Sequence, residues 1–101
     1  MKNSIEAQLW VNNASVELDS LIQEVLARTV VAAVGCLKGA ESVQDLELDL
    51  QEGDVRVFVN GSELPLTPFP NDIIASVVTA MVSTLKGIDE IENLKITVKV
   101  L

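Results

Sequence analysis

The chain has 101 residues, 49% of them apolar and 3% aromatic, with seven basic side chains against fifteen acidic, one cysteine and no histidine. That length suits one domain burying roughly 60–68% of its unfolded surface, so neither a disulfide nor a metal staple is required. A net charge of −8 opposes binding to nucleic-acid phosphates or anionic lipid, and the missing histidine excludes imidazole-based triads, proton relays and metal sites.

Ile5–Val11 opens the chain with strict alternation: Ile5, Ala7, Leu9 and Val11 on one face, Glu6, Gln8 and Trp10 on the other. Period two predicts a half-buried strand. Val16–Leu18 folds back briefly, and Asp19 can cap a helix running to Leu37. That helix places Leu26, Val30, Val34 and Leu37 in an apolar arc and Arg28, Val31 and Gly35 on the remaining strip. Lys38 complements its C-terminal dipole and Gly39 takes the left-handed position beyond it. Leu46, Leu48 and Leu50 mark the next strand, with Glu47, Asp49 and Gln51 outward. Gln51–Asp54 is a tight hairpin leading into Val55–Val59, where Arg56 and Phe58 oppose the valines. Asn60-Gly61 supplies the positive-φ pair of a type I′ turn, and Pro65 keeps the return segment Leu64–Leu66 short. Thr67 caps the second helix, with Pro68 and Pro70 in its first turn, where a missing N–H costs nothing. Ile73, Ile74, Val77, Val78, Met81, Val82 and Leu85 cover more than half of that helix, leaving a strip of Ser76, Thr79 and Ser83. Lys86 and Gly87 close it as Lys38 and Gly39 close the first. The last strand alternates through Leu94, Ile96, Val98 and Val100, with Lys95, Thr97 and Lys99 outward.

These parallels form a repeat. Shifted by 48 positions without a gap, Val11-Asn12 falls on Val59-Asn60 and Leu37-Lys38-Gly39 on Leu85-Lys86-Gly87. Leu18, Ala27, Val30, Ala32, Val34 and Leu46 fall on identical residues, and Trp10 falls on Phe58. The chain therefore reads as one domain, 1–101, of two repeats at about 5–52 and 53–101 that share a core, since no linker separates them.

In long elements the order is β-α-β-β-α-β, a duplicated split βαβ unit. Right-handed crossovers leave few topologies. The expected α+β fold is an antiparallel sheet of order 4-1-3-2 with two helices on one face, a pseudo-two-fold between strands 1 and 3, and short extra hairpin arms. This arrangement resembles the ferredoxin-like fold, which hosts many unrelated functions. The second half, through Val59-Asn60-Gly61, Pro65-Leu66, Pro68-Phe69, Ile73-Ile74 and Ser83-Thr84-Leu85-Lys86-Gly87, resembles small uncharacterised bacterial proteins of about one repeat's length. That resemblance brings no activity; it implies that single-copy relatives pair to build what this chain builds by duplication.

No constellation points to catalysis, a cofactor or a metal. Cys36 reads as an inert buried thiol late in the first helix. Glu41, Asp45, Glu47, Asp49, Glu52 and Asp54 match no EF-hand spacing and read, like Asp89, Glu90 and Glu92, as solvated surface. Asn13-Ala14-Ser15 and Asn60-Gly61-Ser62 satisfy the glycosylation triplet but read as turns. Trp10 and Phe58, flanked by Gln8 and Arg56, are expected near the pseudo-two-fold on the face away from the helices, either packed on each other or forming a platform for a partner. The strand order 4-1-3-2 would put Glu47 and Asp49 on one sheet edge and Lys95 and Lys99 on the other. There they would block unwanted pairing or meet edge to edge between subunits.

A helix covering one sheet needs an apolar stripe little over ~100° wide, and both helices exceed it. The surplus, flanked by Val31, Gly35, Ser76, Thr79 and Ser83, must pack on the neighbouring helix or on another chain. Glu6 and Gln8 interrupt the first apolar run, so a secretory signal is not expected. Thr29–Leu37 and Ile73–Leu85, the longest uncharged stretches, fall short of the ~20 residues that span a bilayer. The reading is a cytoplasmic, non-enzymatic interaction module that forms a homo-oligomer, dimer or higher, without nucleic acid or membrane. The alternative is a regulatory domain resembling ACT modules, with a small-molecule ligand between subunits.

Overall fold

The computed structural model describes residues 5–37 and 42–100; Lys38, Gly39 and Glu41 lie outside them. Its elements are β1 (Ile5–Val11), β2 (Ala14–Val16), α1 (Ser20–Gly35), β3 (Asp45–Gln51), β4 (Asp54–Val59), β5 (Ser62–Leu64), α2 (Pro68–Ser83) and β6 (Asn93–Val100). β2 and α1 recur as β5 and α2 at the offset of the sequence repeat, and the starts of β3 and β6 are related by the same offset. The return arms pair two residues nearer their turns than the apolar pattern suggested. Their turns hold Asn12, Asn13, Asn60 and Gly61 at φ of 51°, 69°, 52° and 88°, the left-handed pairs that match the twist of adjoining strands.

The two helices start differently for a chemical reason. The Asp19 carboxylate accepts from Ile22 N at 2.8 Å, satisfying the third amide of α1. Thr67 flanks α2 in the same extended conformation but makes no side-chain cap bond. The amide it would accept from belongs to Pro70, which has none. Both helices end earlier than expected, at Gly35 and Ser83, with Cys36 and Thr84 as C-caps. The Ser83 and Thr84 hydroxyls donate to Ala80 O and Met81 O, offering the last carbonyls a local partner in place of another turn. Lys86 thus lies beyond the helix, and Gly87 (φ 84°) sits in the following turn rather than directly after the cap.

The strands form one six-stranded antiparallel sheet of order β2-β1-β6-β3-β4-β5. In long strands this is 1-4-2-3, not 4-1-3-2: the closing strands β3 and β6 are central, and the opening strands β1 and β4 lie outside them. The hairpin arms account for the difference. A strand has two edges, and β2 takes one edge of β1 while β5 takes one edge of β4. Each opening strand has one edge left, which its β6 or β3 partner occupies, so β1 and β4 cannot pair. The centre falls between Leu48 and Ile96, which are equivalent positions of the two repeats and direct cross-strand partners. The two halves interleave, with β6 between β1 and β3.

One row across the sheet, Leu9, Ile96, Leu48 and Val57, is wholly buried with Val30, Val34, Val78 and Val82 of the helices. Each such side chain contributes roughly 1.5–3 kcal/mol relative to exposure. Among the described residues no polar side chain is buried. The arms β2 and β5 cover only part of β1 and β4, and the helices protect the rest. Gln23 Oε1 accepts from Ala7 N at 3.1 Å, and its repeat equivalent Asn71 accepts from Val55 N at 2.8 Å.

Candidate interaction surface

α1 packs chiefly on β1 and α2 on β4, with few contacts between the helices. Those two strands are three strand spacings apart, about 14 Å, but the helices on them lean together and touch. The start of α1 lies beside the end of α2, so the helices are antiparallel. Between these ends lies a groove of about 800 Å3 lined mainly by Leu18, Leu21, Val25, Ala80, Met81 and Leu85.

The surplus apolar arc of each helix is uncovered. Leu21 (72% exposed), Val25, Phe69 (74% exposed), Ile73 and Val77 all stand in solvent. Leu26, Ala27, Val30 and Val34 bury the sheet-facing side of α1; at 100° per residue, Leu21 and Val25 point away from it. Leu21 is equivalent to Phe69 and Val25 to Ile73, so each helix exposes apolar side chains at its start, and because the helices are antiparallel the two groups lie at opposite ends of the layer. Val31 and Thr79 are half-buried on the helix flanks, while Gly35, Ser76 and Ser83 are exposed, Ser76 on the outward face itself. Cys36 is exposed, not buried: as a C-cap it lies past the last turn, and its thiol donates to Ala32 O at 3.4 Å. In the sequence Phe69 has a part in the resemblance of the second half but no place on a surface; its equivalence to Leu21, both outside the sheet-facing arc, was the available signal.

The opposite sheet face carries the other expected residues in a different arrangement. Trp10 and Phe58 are on it, half-buried, but β6 and β3 separate their strands, so they form neither a stacked pair nor a joint platform. Each has a cation above its ring instead: Lys95 Nζ lies 5.7 Å from the Trp10 centroid and the Arg56 guanidinium 5.4 Å from that of Phe58. Glu47, Asp49, Lys95 and Lys99 are not edge residues, because their strands are central. Lys95 approaches Glu47 at 3.7 Å and Lys99 approaches Asp45 at 3.9 Å. Partial burial, with a hydrogen bond and charge from Glu47, raises the Asp49 pKa against the opposing pull of Lys95 and Arg56. Arg56 and Glu63 form a two-point pair at 3.1 Å, which raises the arginine pKa and lowers that of the glutamate.

A depression of about 890 Å3 on this face is rimmed by Glu6, Gln8, Glu47, Phe58, Thr97 and Lys99 among others. Among the described residues no three carboxylate or thiol side chains gather as a metal site. Among them, too, no helix is long and apolar enough to cross a membrane. No family model, curated protein or solved structure matches this chain.

Proposed function

We propose that this protein is a non-catalytic interaction module, built of two repeats, that self-associates through the outer surface of its helix layer. The supporting observation is the uncovered apolar surface of Leu21, Val25, Phe69, Ile73 and Val77. Clustered exposed apolar side chains mark interfaces on soluble domains, and those at the start of α1 continue onto Ala80, Met81 and Leu85 of α2. The charged sheet face contrasts with it: its lysines and Arg56 already pair within the chain.

Sedimentation velocity over a concentration series tests the proposal. The native chain should sediment as a dimer or larger at high concentration. Val25→Glu with Ile73→Glu, both at exposed positions, should give a monomer with unchanged circular dichroism. A native chain that stays at 10.9 kDa throughout the series overturns the proposal.

A further inference from the structure

The helix layer carries a projection at one end and a recess at the other. Phe69, in the first turn of α2, is 74% exposed. The groove walled by Leu21, Val25, Ala80 and Met81 lies at the far end of the same helix. Sixteen residues make α2 about 24 Å long, so Phe69 cannot fill the groove of its own chain.

The geometry points to a second copy of this chain as the occupant: Phe69 of each copy inserts into the groove between α1 and α2 of the other. This rests on self-association through the helix layer and specifies its arrangement. A two-fold axis in the plane of the interface, across the helices, lays the start of α2 in one copy over the end of α2 in its partner. Both contacts then form at once, and the assembly closes as a dimer rather than running on as a filament. The layer just reaches the size needed. Two touching helices, each about 24 Å long and ~10 Å wide, present roughly 480 Å2 each side, about 1,000 Å2 in all, where specific interfaces begin. The chemistry also fits, because an apolar aromatic side chain in an apolar pocket can anchor such a contact.

A double-mutant cycle on the dimerisation constant tests the arrangement. Phe69→Ala, which removes the projection, should weaken the dimer about tenfold or more. Ala80→Phe, which fills the groove at an exposed position, should also weaken it by obstructing the partner's ring. Combined, the new aromatic occupies the space the lost one vacated, so the double variant should dimerise more tightly than either single variant. Positions 69 and 80 lie three turns apart on one helix, about 16 Å, too far to couple within a chain. Rescue therefore reports contact between copies. Simple addition of the two losses overturns this arrangement while leaving self-association standing. A native chain that never dimerises overturns both.

Discussion

Asn12 and Asn60 do more than turn the chain. The Asn12 side chain accepts from Glu92 N and Asn93 N at 2.7 and 3.1 Å and donates to Glu90 O at 2.8 Å. Asn60, its equivalent in the second repeat, accepts from Gln44 N and Asp45 N, both at 2.9 Å, and donates to Ser42 O at 3.1 Å. Each asparagine thus holds the start of the other repeat's closing strand, and the two sets of partners are themselves equivalent by the repeat. The shared Val-Asn of the two repeats has this physical basis: an amide that both accepts and donates, on a residue that tolerates the left-handed region. Replacing Asn60 by alanine removes three hydrogen bonds and leaves at positive φ a residue without the polar side chain that lets asparagine tolerate it, at a cost of about 2–3 kcal/mol. Asn60→Gly removes the bonds without the strain and should cost about 1–2 kcal/mol. Urea denaturation of both variants measures the two contributions, and equal losses would show that backbone strain contributes nothing.

The helix starts make a matched pair at the scale of elements. Asp19→Ala should cost about 1 kcal/mol, because Ile22 N loses its partner. Thr67→Ala should stay within about 0.5 kcal/mol, since α2 carries proline where α1 carries that amide. Thermal melting of the two variants checks this, and a Thr67 loss as large as that of Asp19 would contradict it. Local patterns of this kind were legible in the sequence. The alternation of Leu46, Leu48 and Leu50 identifies a strand, and Asn60-Gly61 identifies its turn, because both depend on near neighbours. Strand order was not legible from the long strands, since it depends on which edges are already occupied. The three-residue arms Ala14–Val16 and Ser62–Leu64 decided that, by taking the edges that β1 and β4 would have needed to meet. The same arms moved Glu47, Asp49, Lys95 and Lys99 from the sheet edges to its middle and drew Trp10 away from Phe58. The apolar excess of the helices was readable by counting a wheel. Which residues stay uncovered was not, because that depends on which side of its wide apolar arc each helix lays on the sheet.

Interleaving sets what the whole molecule can do in pieces. β1 pairs with β6 and β3 with β4, while β6 and β3 join at the centre, so neither repeat contains a continuous sheet. Residues 1–52 alone would leave β1 and β3 apart with an open slot where β6 belongs, and the Asn12 side chain would lose all three partners. A half chain of about 50 residues also has too little core to offset that exposure. The fragment 1–52 should therefore be largely unfolded by itself. Mixed with 53–101 it should recover the circular dichroism and cooperative melting of the intact chain, at the same 10.9 kDa total. The second fragment carries β4, β5, α2 and β6, and by the internal symmetry two copies of it could supply β6 to β6 at the centre and β4 on each side. At that centre Ile96 would face Ile96 in place of Leu48, a change the apolar row accommodates, whereas Lys95 and Lys99 would lose Glu47 and Asp45 as partners. The homodimer of 53–101 should therefore form more weakly than the mixed pair and should tighten with added salt, which screens the unpaired lysines. Folding of 1–52 as an isolated monomer would contradict the interleaved sheet directly.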